Sequence, residues 1–397
     1  MKELSSRINN LSESETIAMS RRSREMQEKG LDVISLSLGE PDFNTPKFIQ
    51  DAAKEAIDQG YFHYPPIPGY LDLRQAISDK FKRDNQINYA PSQIVVSTGA
   101  KQSIANVVLS LINPGDEVLL PAPYWVSYRE IVKLAGGIPV EIQTDINNDF
   151  KVTQEQLEAH HSHKTRLLIF SSPCNPSGSV FNNSDLEEIA HYLEAHPSVM
   201  AISDEIYELI NFEGSSRSLA SFEIIYDQVV TVNGLSKGFA MTGWRCGYIG
   251  APQWLADACV KMQGQFTSAA SSISQRAAVA ALKADPSQFQ EMKETFLKRR
   301  DLLLGLLKDI KGIKTNLPKG AFYIFPDVSQ LFGKRSGEKI INDASSLCMY
   351  LLEEAHVALV PGDAFGSPNC IRISYASSEQ DLREALRRIK IALEKLD

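Results

Sequence analysis

Between residues 90 and 250 the chain alternates short apolar runs with longer stretches in which apolar residues recur every three or four positions. Apolar runs without polar alternation are expected of strands buried on both faces, and the three-to-four spacing is that of helices covering them. The strands predicted on this basis are 94–97, 117–120, 138–142, 166–170, 199–203, 229–232 and 246–249, with helices such as 101–111 and 184–195 between them. This order predicts an α/β fold: a mainly parallel seven-stranded sheet flanked by helices.

The pattern changes at both ends. Residues 14–29 look helical, with Ile17 and Met19 on one side and Met26 further along. A strand-like run over 33–38 stops at Gly39, and a helix is predicted over 46–58, with Pro46 suited to its first turn. A long charged helix over 287–310 leads into strands at 321–325 and 370–374 and a final helix at 379–396. The expected organisation is a large domain of residues 46–286 and a smaller α+β domain formed by 1–45 and 287–397.

Composition narrows the function classes. The 397 residues are 43% hydrophobic and 23% charged, ordinary for a globular chain. A net charge of -8 opposes nucleic acid as a partner. Five scattered cysteines with no C-x-x-C pair give no disulfide framework or zinc site, which points to a reducing cytoplasm. No run approaches the ~18 apolar residues of a membrane span, and the first 26 residues hold no signal-peptide core. His160, His161 and His163 fit no common zinc spacing and are expected in a solvated surface loop, so no metal is expected.

In open α/β sheets ligands sit beyond the carboxyl ends of the strands, and polar residues concentrate there in this chain. After 94–97 come Thr98, Gly99, Ala100 and Lys101, where small residues at a helix start let backbone N–H groups approach a phosphate; a plain bend is the other reading. Trp125, after the next strand, suits either stacking on a ligand ring or core packing. In Ser171-Ser172-Pro173-Cys174-Asn175-Pro176-Ser177-Gly178 two prolines fix the loop, so that the Asn175 amide can be aimed at a ligand oxygen or simply close a turn.

Asp204 ends an apolar strand, where a carboxylate needs a partner: a protonated pyridine nitrogen would serve, with Tyr207 reaching the same ligand. A helix cap and a packed aromatic are the alternatives. Lys237 follows another apolar strand among small and apolar residues; partial burial would lower its pKa and free its amine to attack an aldehyde. Ser236 and Arg245 beside it are good phosphate partners.

With these residues the chain resembles the class I/II aminotransferases of pyridoxal-phosphate fold-type I, most closely the bacterial aspartate aminotransferase branch. The motifs S-P-x-N-P-x-G, S-D-E-I-Y and S-K-x-x-x-M-x-G-W-R occur in family order, and the similarity runs from Ser37-Leu38-Gly39-Glu40-Pro41-Asp42-Phe43 to Ile371-Arg372-Ile373-Ser374-Tyr375-Ala376. The resemblance implies that Lys237 holds pyridoxal 5'-phosphate as a Schiff base and carries the 1,3-proton transfer, with Asp204 on the pyridinium nitrogen. It further implies Asn175 and Tyr207 on the phenolic oxygen, Trp125 stacked on the ring, and Gly99, Ala100, Lys101, Ser236 and Arg245 on the phosphate. Tyr64 would reach the phosphate from a neighbouring subunit, which implies a homodimer. Arg372 would clamp the substrate α-carboxylate, with the Gly39 backbone close by. The implied cycle is ping-pong, from an L-amino acid to a 2-oxo acid.

For the distal carboxylate, one group of aspartate aminotransferases uses a partner-subunit arginine. No match to it stands in residues 263–272, QGQFTSAASS, whereas Lys101 and Thr16 match the lysine-plus-hydroxyl pattern of the branch resembled. Aspartate with 2-oxoglutarate is therefore expected. Prephenate, aromatic or alanine-type substrates, and a C–S β-lyase activity, remain alternatives, because fold and cofactor do not fix the reaction. A cofactor-binding gene regulator is disfavoured: no basic helix-turn-helix extension is present.

Overall fold

All seven expected apolar runs pair into one sheet. The computed structural model describes residues 4–13, 15–214 and 217–397. The strands are β1 (Ile94–Ser97), β2 (Glu117–Ala122), β3 (Ile138–Gln143), β4 (Thr165–Ser171), β5 (Met200–Asp204), β6 (Val229–Gly234) and β7 (Gly247–Gly250), in spatial order β1-β7-β6-β5-β4-β2-β3. The pairs β2–β3, β2–β4, β4–β5 and β5–β6 are parallel. Strand β7 is antiparallel to both β1 and β6. Apolar periodicity carries no direction, but the connection does: residues 235–246 lack the crossover helix that a parallel return usually uses.

Every residue of β1, β5, β6 and β7 is buried, which is why these runs are apolar without alternation. One face, with Val96, Leu119, Leu168 and Ala201, packs on Ile49 and Ala53 of the helix Lys47–Asp58 and on Leu73 and Ile77. The other, with Val95, Leu120, Ile169 and Val232, packs on Ile104, Val107 and Val108 of the helix Ala100–Leu111.

A separate apolar cluster joins both chain ends: Met19, Val33 and Leu36 pack with Phe296, Phe322, Leu351, Ile373 and Leu386. Its strands are short. The expected strand over 33–38 is only Ile34–Ser35, paired in parallel with Val357–Ala358. Tyr323–Ile324, Ile371–Ser374 and Val360–Pro361 form an antiparallel three-stranded sheet. Two-residue strands are too short to show alternation, so several went unpredicted, as did the helix Ala344–Ala355. The N-terminal helix is Glu15–Glu28; its expected first residue, Ser14, lies outside the described residues. Pro46 occupies the N-cap position rather than the first turn, its carbonyl accepting from the Ile49 and Gln50 amides. The long charged helix is Gln290–Leu307, preceded by a 3-10 turn at Pro286–Phe289. Among the described residues no helix is long and apolar enough to cross a membrane.

The segment 39–45 ties the two regions together. Asp42 forms a bidentate ion pair with Arg299 at 2.7 and 2.8 Å, and Phe43 meets Phe296 edge-on. Thr45 donates to the Ala240 carbonyl at 2.6 Å and accepts from the Trp244 indole at 3.0 Å.

Strand β7 also brings a glycine hard against the start of the helix Ala100–Leu111. A Cβ on Gly247 would stand 2.2 Å from the Ala100 nitrogen and 2.5 Å from the Gly99 carbonyl carbon. Backbone atoms cannot yield as a side-chain end can. Gly247→Ala is therefore expected to lower unfolding stability by ~1–3 kcal/mol, read from urea transitions, and to weaken any anion held at that helix start. Unchanged stability would mean that the two segments separate without cost.

Candidate active site

Five loops meet at one edge of the sheet. Gly99 to Lys101 follow β1, Trp125 follows β2, Asn175 follows β4, Asp204 closes β5 with Tyr207 just beyond, and Lys237 follows β6. These strands share one direction, so their carboxyl ends share one edge. Because β7 runs oppositely, its amino end lies at that same edge, which delivers Arg245, two residues before it. The chain ends add Thr16, Gly39 and Arg372. Together they line a cavity of about 340 Å³.

Of the sequence-predicted residues, Thr16, Gly39, Ala100, Lys101, Trp125, Asn175, Asp204, Tyr207, Ser236, Lys237, Arg245 and Arg372 all line this cavity. Gly99 sits immediately behind as the N-cap of the helix Ala100–Leu111, with φ of 85°. A Cβ there would lie 2.5 Å from Arg245 Nη2, so glycine lets the guanidinium close over the helix start. Tyr64 lies outside the cavity and is 96% exposed.

The Lys237 amine donates to the Gly39 carbonyl and lies 5.7 Å from the Tyr207 ring centroid. Burial holds its pKa down to about 8; the Arg372 cation adds to this, while Glu40 opposes it. Asp204 is 4% exposed. Its Oδ2 accepts from the Tyr128 hydroxyl at 2.6 Å and its Oδ1 from the Ile206 amide at 3.2 Å. Burial raises the Asp204 carboxyl to about 6 against the pull of these donors and of Lys237.

Arg372, 2% exposed, donates from Nη1 to Asn175 Oδ1 at 3.0 Å and from Nη2 to the Ser37 carbonyl at 2.6 Å, while its Nε has no partner among the described residues. Its guanidinium lies over the Tyr323 and Phe365 rings at 4.6 and 5.0 Å. Arg245 adopts a left-handed conformation, φ 54°, and donates to the Thr242 carbonyl at 2.9 Å. The Lys101 ammonium stands 4.9 Å from the Trp125 ring centroid. The residue as a whole is exposed, yet loss of solvent and the Arg245 cation lower its pKa.

Charge balance defines what the cavity can hold. Its lining has four cations, Lys101, Lys237, Arg245 and Arg372, against two carboxylates, Glu40 and Asp204. Among the described residues Lys101, Arg245 and Arg372 form no ion pair, whereas most other arginines near carboxylates do, as Arg299 does with Asp42. Grouped, partly desolvated cations without counterions favour a ligand with several negative charges.

Sequence reasoning missed Tyr128, Tyr323, Glu40 and Thr242. Tyr128 stands in the first turn of the helix Ser127–Leu134, three residues after Trp125, and nothing near it or near Tyr323 in sequence pointed to either contact. The histidine patch is only in part the solvated loop expected, with His163 exposed in a turn. His160 ends the helix Gln154–His160, and His161 stacks on His196 with centroids 3.8 Å apart and bonds the Tyr192 hydroxyl at 2.9 Å. Among the described residues no group of three or more His, Cys, Asp or Glu is arranged for a metal ion. All five cysteines are free and buried.

Asp204 generates a pH prediction. Its folded pKa, about 6, lies above the ordinary 3.8, so between these values the folded state binds more protons and stability falls as pH rises. Above pH 6 the buried charge costs its full amount. Asp204→Asn should therefore stabilise the ligand-free chain by ~1–3 kcal/mol at neutral pH, with the gain shrinking towards nothing near pH 4. Denaturant unfolding across that range reads it, and a gain independent of pH would contradict it.

Comparison with known proteins agrees with this geometry. The profile of the family described as aminotransferase class I and II matches residues 31–389. A Petunia hybrida protein, named bifunctional aspartate aminotransferase and glutamate/aspartate-prephenate aminotransferase, is 49% identical over 98% of this chain and 82% of its own. The crystal structure of the aspartate aminotransferase from Rhizobium meliloti superposes with a TM-score of 0.97 at 41% identity, covering 100% of both chains. That of the aspartate aminotransferase from Thermus thermophilus with maleate gives 0.93 at 36% identity, covering 99% of this chain and 100% of that one. The chain belongs to the class I and II aminotransferases, enzymes that work with pyridoxal 5'-phosphate.

Proposed function

We propose that this chain moves the amino group of aspartate to 2-oxoglutarate by a ping-pong cycle, with Lys101 reading the distal carboxylate of both. The excess of unpaired cations in the cavity carries this reading. A phosphate and two substrate carboxylates need three separate cationic positions, and Arg245, Arg372 and Lys101 supply them.

The residues fit the cofactor. The space that glycine leaves at residue 99 puts the Arg245 guanidinium over the free amides of the Ala100–Leu111 helix start, a site built for a phosphate, with Ser236 beside it. Tyr64, exposed on its own subunit, would complete that site in a homodimer. Asp204, buried and short of positive charge, would pair with the pyridine nitrogen and keep it protonated; Trp125 would stack on the ring. Tyr207 and Asn175 would hold the phenolic oxygen. When bound, pyridoxal 5'-phosphate supplies an electron sink for the bond broken at the substrate α-carbon.

The chain's own residues do the rest. The Lys237 amine, its pKa held near 8, exchanges freely between proton-bearing and nucleophilic forms. Released from the cofactor, it would take the proton from the substrate α-carbon and deliver it to the cofactor's former aldehyde carbon. Arg372, fixed by Asn175 and the Ser37 carbonyl, grips the α-carboxylate beside the Gly39 backbone. Thr16 stands with Lys101 at the far end for the distal carboxylate. The bodies 46–286 and 1–45 with 287–397 would close on each other around the substrate and exclude water; the two chain ends share one apolar cluster, which also takes in Ile206, Tyr207 and Ile210. A cytoplasmic location fits the five free cysteines.

A second reading, prephenate as amino acceptor, is favoured by the name of the Petunia relative at 49% identity. Prephenate also carries two carboxylates, and the same Lys101 would read its ring carboxylate.

Single-turnover change in cofactor absorbance, measured with a panel of amino donors, tests the reaction. Failure of every amino acid to convert the cofactor to its aminated form would refute transamination, and pyruvate release without an oxo acid would mark β-elimination instead. Lys101→Ala should cut kcat/KM for aspartate ~10–100-fold, the worth of one hydrogen bond to a charged group, and for alanine far less. Equal losses for the two donors would remove Lys101 from substrate selection.

A further inference from the structure

Tyr207 has a second phenol against it. The Tyr323 hydroxyl lies 2.8 Å from the Tyr207 hydroxyl, with both rings buried and nearly perpendicular. Among the described residues Tyr207 is the only hydrogen-bond partner of that hydroxyl. Tyr323 comes from the short strand Tyr323–Ile324, whose neighbour Ile371–Ser374 carries Arg372. Its ring lies under the Arg372 guanidinium at 4.6 Å. A Cβ on Gly39 would stand 2.6 Å from the Tyr323 oxygen, so the absence of a side chain there leaves the hydroxyl its place. Tyr323 therefore touches the residues proposed for the cofactor's phenolic oxygen, for the α-carboxylate and for the Lys237 carbonyl contact.

Proton counting assigns its direction. Each phenol has one proton to donate. When Tyr207 donates to a ligand oxygen, its own oxygen can only accept from Tyr323, so Tyr323 must be the donor in the 2.8 Å bond. The two hydroxyls then form a chain in which each bond polarises and strengthens the next. Both rings are buried, and among the described residues neither hydroxyl has another hydrogen-bond partner.

We propose that Tyr323 is a positioning residue for transamination: by donating to Tyr207 it commits the Tyr207 proton to the cofactor's phenolic oxygen and so favours the deprotonated form of that oxygen. This rests on the reading of Tyr207 as donor to that oxygen, and the test separates the two claims. A donor to an oxygen stabilises its charged form, so losing it raises the pH at which the oxygen gives up its proton.

The experiment is a pH titration of cofactor absorbance in the holoenzyme, comparing wild type, Tyr207→Phe, Tyr323→Phe and the double variant. Tyr323→Phe keeps the ring, its contact with Arg372 and the packing, and removes only the hydroxyl. The absorbance midpoint should move up in Tyr207→Phe and move up by a smaller amount in Tyr323→Phe. The double variant should match Tyr207→Phe alone, because Tyr323 acts only through Tyr207. For Tyr323→Phe, kcat should fall about two- to tenfold, with the aspartate KM little changed because the Arg372 stack survives.

A midpoint unmoved in Tyr323→Phe but raised in Tyr207→Phe would overturn the role of Tyr323 and leave that of Tyr207 standing. An unmoved midpoint in Tyr207→Phe would sink both. Additive shifts in the double variant would show that Tyr323 acts by another route and would also overturn the proposal. Should Tyr323→Phe fail to fold, Gly39→Ala displaces the same hydroxyl, and its midpoint must then rise; no rise would count against the chain.

Discussion

The rest of this structure depends on keeping positive charges together without neutralising them. Lys101, Lys237, Arg245 and Arg372 share a cavity with only two carboxylates, and among the described residues none of the four forms an ion pair. Desolvating like charges side by side is unfavourable, and it shows in the lowered pKa of Lys237, where the Arg372 cation adds to burial. What offsets that cost is scaffold. The sheet presents five loop starts at one edge, β7 reverses to bring Arg245 to the same place, and the chain ends fold back to add Arg372. Arg245, Arg372 and Lys237 are held by neutral acceptors, the Thr242, Ser37 and Gly39 carbonyls, which orient them without consuming their charge, and Lys101 stands over the Trp125 ring.

The same constraint explains why some backbone positions have no side chain. Gly99 lets Arg245 reach over a helix start, Gly247 lets that helix start lie against β7, and Gly39 leaves room for the Tyr323 hydroxyl. None of these is a flexible hinge by composition; each is a place where one group must approach another more closely than a Cβ permits. Only Gly99 of the three has a positive φ.

The large sheet was legible because its strands are buried on both faces and therefore apolar throughout, and eight of the twelve predicted cavity residues were legible because they end or follow those strands. Thr16, Gly39, Arg245 and Arg372 came instead from the family resemblance or from motif neighbours. What was not legible came from long-range pairing. Tyr128 meets Asp204 across 76 residues and Tyr323 meets Tyr207 across 116, and no local spacing encodes either contact. The direction of β7 depends on the connecting loop and not on its apolar content. In the chain-end region, strands of two residues are held by the packing of Phe322, Ile324 and Ile373 and not by any pattern of their own. His161 was misplaced for a related reason: its stacking partner His196 lies beyond a strand and a helix, out of reach of any reading of the 160–163 patch.

The segment 39–45 is where substrate grip and chemistry are forced to communicate. Its Gly39 carbonyl accepts from Lys237, its Glu40 carboxylate accepts from Thr242, and its Thr45 bonds both Ala240 and Trp244, so one side is fastened to the 237–245 loop. Its Asp42 is fastened to Arg299 in the long charged helix Gln290–Leu307, and Ser37, two residues before Gly39, accepts from Arg372. A shift of the chain ends towards the sheet therefore cannot leave Lys237 untouched, because the carbonyl holding its amine moves with the backbone holding Arg372. Conversely, once the Lys237 amine is engaged elsewhere, the Gly39 carbonyl loses its donor, and the restraint on that backbone loosens. The coupling needs no distant pathway: it runs through two residues of main chain between the contact to the α-carboxylate clamp and the contact to the nucleophile.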